Sequence, residues 1–344
     1  MQDFARVRRE LAGAARPRAL VYYADFLGSG AVGWSALFVA TRTNAAVQAI
    51  AVAVAALALW RAVYFIHEIS HLRRGAVPGF TWVWNLVAGI PLGLPSLMIG
   101  AHKYHHQQAT YGTDRDPEYA PIARWRWWHI AASVAEMVLV APALALRWGV
   151  IAPLSLLSKR LRQLAVERAS TLAINPRFRR PAPRGRERRV WIAQEIACAI
   201  WVWSIAALAI AGALALSSLA VFAAAITSAM VLNQIRTLVA HHYESDGEPM
   251  SMEAQTDDTI TIGGVDLITD LVTPLGNRTH ALHHWLPNIP YHQLPAIHRH
   301  LIAELPPDSV YRNGVRRGLC HALFRLRSRR VLASGRPASR PRAL

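Results

Sequence analysis

Fifteen histidines occur in this 344-residue chain, and most of them are clustered. His67 and His71 belong to the string HEISH, and His102, His105 and His106 to HKYHH. His280, His283 and His284 form HALHH, and His241 and His242 stand side by side. On a helix, residues three and four apart share one face, so each cluster presents two or three imidazoles in one direction. Imidazole is a ligand for iron, zinc, copper and nickel. A structural zinc site of the finger type would need cysteine partners, and the only cysteines are Cys198 and Cys320. The three clusters supply eight imidazoles, and His241 or His242 a ninth. That is too many for one metal and right for two. Two metals with open positions suit the activation of oxygen. His129 and His321 stand apart and read as surface residues.

The elements that must hold these clusters are apolar. The chain is 53% hydrophobic yet carries a formal net charge of +17 with only 17% charged residues. A disordered basic protein could not contain so much aliphatic side chain, and two cysteines exclude a secreted disulfide scaffold. What remains is a membrane protein with basic loops or a large polyanion binder. Residues 45–66 carry one charge, Arg61, and residues 191–213 and 214–239 follow one another almost without a break. A membrane span needs about 20 mostly apolar residues. Residues 20–41, interrupted by Asp25 and three glycines, form a weaker fourth span, with Asn44 as the expected N-cap of the second.

Charge placement orients these spans. Arginines crowd the N-terminal arm (Arg6, Arg8, Arg9, Arg16, Arg18), residues 158–189 and the tail from 312 to 342. The other two links, near Arg42 and near Leu216–Ser217–Ser218, hold one arginine between them. Excess Lys and Arg in short loops marks the cytoplasmic side, so both termini are expected there, in a bacterial inner membrane. The N-terminus is too hydrophilic for a signal peptide. Residues 80–100 and 127–157 are also apolar but contain Pro91, Pro95, Pro142 and Pro153. If the clusters meet at one membrane face, neither stretch can add a single crossing. Both are therefore expected to be interfacial or re-entrant.

The expected architecture is an all-α integral membrane domain covering 1–344. Four transmembrane helices carry a cytoplasmic helical cap with a histidine-box di-metal site. The divisions are an arm (1–19), a first hairpin (20–66), a cytoplasmic part with two boxes and a basic loop (67–190), a second hairpin (191–240), a part with the third box (241–310) and a basic tail (311–344).

Over residues 60–307 the sequence resembles the membrane fatty acid desaturase superfamily. HEISH looks like its first histidine box, HKYHHQQATYGTDRDPE its second with the following Asp-Pro element, and RTHALHHWLPNIPYHQLPAIHRHL its third. RTLVAHHY resembles the motif that brings a further ligand from the end of the last transmembrane helix. The resemblance implies a non-haem enzyme with two iron ions, O2 as co-substrate and two external electrons. Its ligands would be His67, His71, His102, His105, His106, His241, His280, His283 and His284, with His241 preferred to His242; their division between the irons is open.

Glu68 and Asp116 could accept the second ring N–H of ligating histidines. Asn233 would face the site through water, Asp257 and Asp258 read as loop surface, and His292 and His298 as structural. Removing two hydrogens from a substrate gives an alkene, and inserting oxygen gives an alcohol. Desaturation is the commoner outcome among close relatives, so an acyl desaturase is the first expectation. A di-iron hydroxylase or ketolase of an alkyl, sphingoid or carotenoid chain is the second. A metal transporter would string histidines along a path through the bilayer, whereas these sit at span ends and in loops.

The substrate is expected to be a lipid or acyl thioester, its chain in a tunnel among the spans. The basic loop would hold an anionic head group, or its arginines would only set topology and bind anionic lipid. No cofactor motif for a reductase is present, so electrons would come from a separate ferredoxin, cytochrome or reductase. No nucleic-acid partner is expected.

Overall fold

The computed structural model describes residues 16–264 and 266–324. Arg6, Arg8 and Arg9 of the basic arm, and the tail beyond residue 324, lie outside the described residues. Two long helices open the fold: α1 (Ala19–Ala40) and α2 (Ala45–His71). The Asn44 side chain accepts the Val47 N–H at 3.4 Å, satisfying one of the free donors at the start of α2. On α1 the buried residues Tyr22, Phe26, Gly30, Gly33, Leu37 and Ala40 recur at helical spacing and face α2. Gly33 sets the approach, since a Cβ there would lie 2.7 Å from Leu59 Cγ.

The charges that interrupt the two apolar runs satisfy each other. Arg61 on α2 donates to both carboxylate oxygens of Asp25 on α1, at 2.7 and 2.6 Å, and the Tyr291 hydroxyl adds a third bond at 2.8 Å. Paired charges of this kind are the form in which ionised groups persist in an apolar setting.

Residues 80–99 are a folded-back segment of short pieces, Phe80–Trp84, Asn85–Gly89 and Ser96–Ile99. Its irregular backbone is satisfied by side chains. Gln194 accepts the Leu97 N–H at 2.8 Å, Asn85 accepts the Ser96 N–H at 2.8 Å, and Trp148 donates to the Gly93 carbonyl at 2.7 Å. Non-helical backbone survives among apolar side chains only with partners of this sort. The segment leads into the short helix α3 (His102–His105).

Two further long helices follow, α4 (Gly185–Ile210) and α5 (Leu216–Leu238). Among the described residues, the helices Ala45–His71, Trp127–Leu157, Gly185–Ile210 and Leu216–Leu238 are long and apolar enough to cross a membrane. The helix α1, diluted by Asp25 and three glycines, is lower in mean hydropathy than these four, while the 31-residue stretch Trp127–Leu157, expected to lie along the membrane, is by length and composition alone long enough to cross it. That stretch is broken, with a 3-10 turn at Glu136–Leu139 and a π turn at Arg147–Ile151. Gln234 of α5 donates to its Ser133 at 3.0 Å, and Arg147 donates to Glu195 of α4 at 2.6 Å.

Past α5 come α6 (His280–Trp285) and α7 (Leu294–Glu304). The strand content of the described residues is two paired dipeptides, Thr261–Ile262 and Val315–Arg316, running parallel. Single antiparallel bridges join His241 to Thr259 and Thr261 to Thr279. These link the end of α5 to the start of α6, which is how residues 241 and 280 come to be neighbours.

Candidate di-metal centre

The last turn of α2 carries His67 and His71, and α3 with the residue after it carries His102, His105 and His106. His241 stands just beyond α5, and α6 supplies His280, His283 and His284. The structure gathers all nine into two groups, within each of which the ring nitrogens lie within 4.8 Å of one another. One group is His67, His71, His102, His106 and His283, and the other is His105, His241, His280 and His284. Each HxxHH string straddles both. On a helix, residues i and i+4 are about 40° apart while i+3 falls to the other side. Hence His102 and His106 point one way and His105 another, as do His280 and His284 against His283. The division that spacing left open is therefore made by helix geometry.

The donor set fits metal ions. Within the groups, Nε2 atoms approach at 2.9 Å (His102 and His106), 3.2 Å (His106 and His283) and 3.1 Å (His241 with His105 and with His280). Two nitrogens at right angles on a metal about 2.1 Å away would be about 3.0 Å apart. The buried Nε2 atoms of His67, His71 and His284 have no hydrogen-bond partner. Burying such groups unsatisfied is costly, and a cation would satisfy them. Imidazole donors without thiolates suit iron, zinc, copper or nickel.

The opposite ring nitrogens are held by the protein. Asp116 sits 2.9 Å from His105 Nδ1, and Glu118 2.6 Å from His102 Nδ1. His241 Nδ1 lies 2.8 Å from the Tyr111 hydroxyl, which donates to Asp258 at 2.8 Å. The Asn277 amide is 3.2 Å from His280 Nδ1. A carboxylate on Nδ1 fixes the proton there and leaves the Nε2 lone pair facing the centre.

Electrostatics favour neutral rings at five of these positions. Burial, reinforced by neighbouring imidazoles, pushes His106, His241, His280, His283 and His284 well below the usual histidine range. For His105 burial acts in the same direction, but the Asp116 carboxylate outweighs it and raises the ring. Burial works to raise Glu118, yet His102 overrides it and brings the acid down to about 2.

The surroundings of the two groups differ in part from expectation. Glu68 meets no histidine; it accepts the Tyr22 hydroxyl and, at 3.2 Å, the Tyr291 N–H. Adjacent residues on a helix diverge by about 100°, which carries Glu68 away from the face of His67. Asp258, read as loop surface, is 4% exposed and holds Tyr111 against His241; burial pushes its carboxyl up to about 6. Glu118 was not anticipated at all. Asn233 accepts from Arg236 at 3.0 Å and lines the central cavity.

Asp116 is placed on His105, and Asp257 is exposed. His242 belongs to neither group and lies 3.0 Å from Arg316. His292 accepts the Arg18 N–H at 3.3 Å, and His298 pairs with the Tyr311 hydroxyl at 2.6 Å. His129 and His321 accept nearby backbone N–H groups at 3.2 and 3.4 Å.

The sequence profile of the family described as fatty acid desaturase matches residues 43–315. The chain belongs to the fatty acid desaturase family. It is also 38% identical over 332 residues to a ceramide hydroxylase of Caulobacter vibrioides (strain NA1000 / CB15N), covering 94% of this chain and 93% of that protein. No solved structure matches it. It is therefore an oxidoreductase of a membrane-embedded, lipid-processing family whose members include desaturases and hydroxylases.

In this desaturase-family enzyme a cavity of about 460 Å³ reaches both histidine groups, touching His67 of one and His105 and His241 of the other. Leu94, Ile99, Met137, Leu144 and Met230 form an apolar wall. Asn233, Gln234 and Arg236 face the same space. The basic loop is less free than its composition suggests. Arg162 is paired with Glu195, and Arg180 donates to the Leu97 carbonyl at 2.6 Å while lying over Trp191.

Proposed function

We propose that this enzyme is a membrane di-iron hydroxylase that places a hydroxyl group on a chain of a ceramide-type lipid. The observation that carries this is the 38% identity to a ceramide hydroxylase across 94% of the chain. It moves hydroxylation ahead of desaturation, which was the first expectation; both reactions use the same histidine set, so the boxes do not rank them. Nine histidines would hold two iron ions: His67, His71, His102, His106 and His283 on one side, and His105, His241, His280 and His284 on the other. When bound, the iron pair would supply O2 activation, with R–H, O2, two electrons and two protons giving R–OH and water.

The protein's own part is positioning. Asp116, Glu118 and the Tyr111–Asp258 pair orient three of the rings. The apolar wall takes up a hydrocarbon chain and excludes bulk water from the histidines. Electrons would arrive from a separate ferredoxin, cytochrome or reductase, and an acidic carrier would be drawn to this basic chain. The arginine distribution supports both termini and the site facing the cytoplasm.

The test is lipid profiling of a ceramide-containing host that lacks the hydroxylated product, with and without the gene, and with His283→Ala. Ceramides gaining one oxygen with the wild type alone support the reading. Ceramides losing two hydrogens would instead identify a desaturase, and an unchanged profile would refute both.

A further inference from the structure

Two hydrogen-bond donors in the wall of the central cavity have no assigned task. Tyr64 is 3% exposed, and its hydroxyl is buried without a partner. Arg236 has a buried Nε, also without a partner, although its Nη2 donates to Asn233 at 3.0 Å. Both residues line the cavity that touches His67, His105 and His241. They are neighbours, with the Arg236 guanidinium 5.3 Å from the centre of the Tyr64 ring. Tyr64 lies one helical turn before His67 and stacks on it, ring centres 5.3 Å apart and planes 11° from parallel.

Unsatisfied buried donors are costly, and a cation near the end of an apolar helix is rarely without a task. Arginine can only donate, and a phenol beside it is best used as a donor too. A carbonyl oxygen, which has two lone pairs and brings no proton of its own, matches such a pair of donors. Neither a hydrocarbon nor an ammonium group would satisfy it.

We infer that Tyr64 and Arg236 hold the amide carbonyl of the substrate, anchoring its polar head inside the cavity beside the histidines. This rests on the ceramide reading above, since a ceramide carries one such carbonyl and its parent sphingoid base carries none. Stacking of Tyr64 on His67 places that carbonyl close to the first histidine group. The carbon that reacts is therefore near the amide, and the apolar wall accommodates the remainder of the chain. Tyr64 and Arg236 act as positioning and specificity residues.

The experiment compares wild type, Tyr64→Phe and Arg236→Gln in lipid nanodiscs, each checked for helicity and iron content. Binding of three probes is measured: a long-chain ceramide, the matching free sphingoid base, and a long-chain fatty acid methyl ester. Tyr64→Phe keeps the ring on His67 and removes one hydrogen bond, so ceramide affinity should fall about three- to tenfold. Arg236→Gln removes a charged donor and should cost about ten- to a hundredfold. Neither should change affinity for the sphingoid base. In wild type the new oxygen should sit near the amide, and in Tyr64→Phe its position should spread along the chain.

Unchanged ceramide affinity in both iron-loaded variants, equal loss for base and ceramide, or wild-type oxidation far from the amide would overturn the inference. The two claims fail separately. If wild type ignores ceramide but binds the ester in a Tyr64-dependent way, the carbonyl site stands and the ceramide reading falls. If ceramide is oxidised and Tyr64→Phe and Arg236→Gln are indifferent to it, the reverse holds.

Discussion

Glu118 offers a clean way to perturb one histidine group without touching a histidine. Its Oε1 lies 2.6 Å from His102 Nδ1, short enough for a charge-assisted bond, and the acid is held down at about 2. Glu118→Gln keeps the shape and an acceptor oxygen but removes the charge. A hydrogen bond to a charged group is worth about 1.5–3 kcal/mol and a neutral one about 0.5–1.5 kcal/mol, so the difference is about 1–1.5 kcal/mol. At about 1.4 kcal/mol per factor of ten, this predicts roughly tenfold weaker metal retention at the five-histidine group. Glu118→Ala, which removes the partner altogether, should reach the upper end of the ten- to hundredfold range known for such outer partners. The assay is iron content per chain after equilibration against graded chelator, with the exposed Asp257→Asn as control. One metal equivalent per chain should be lost at lower chelator concentration, in the order Ala before Gln before wild type. Glu118→Ala retaining both irons as firmly as wild type would refute the idea that this carboxylate orients a ligand.

Other outcomes follow from the same geometry. His105→Ala should lose iron and turnover while the chain still inserts and keeps its helical circular dichroism. Gly33→Ala drives a methyl to 2.7 Å from Leu59 Cγ, so the α1–α2 pair should loosen by about 1–3 kcal/mol, read by thermal unfolding in detergent. His298 is pushed below the ordinary histidine range by burial, with Arg278 adding to it. Its unfolded form takes up a proton first, so it supports stability above about pH 6.5 and withdraws that support as pH falls. The loss of melting temperature between pH 7 and 5 should therefore be smaller in His298→Asn than in wild type.

The parts of this protein that were legible in its sequence are those encoded locally. Histidines three and four residues apart announce a shared face whatever the rest of the chain does, and the boxes converge in the structure. Asp116 was accessible because it lies just beyond its box, in the Asp-Pro element. Asp258 was not, because its contact joins residues far apart, reaching Tyr111 across 147 positions; Glu118 stands two residues beyond Asp116 in the same segment, and only the fold of that loop shows it meeting His102. Glu68 misled because nearness in sequence is not nearness on a helix surface. The choice of apolar helices was blurred where Asp25 dilutes one long helix and prolines break another. The reaction was least legible. Alkene and alcohol chemistry share one set of ligands and part only at where the substrate chain lies, which depends on cavity walls drawn from α2, α5 and the two broken segments.

The most direct test of the account is mass spectrometry of ceramide incubated with the purified iron-loaded enzyme, a reductant-coupled carrier and 18O2. The account predicts one atom of 18O in the product, bound to a chain carbon. A product that has lost two hydrogens and contains no 18O would contradict it.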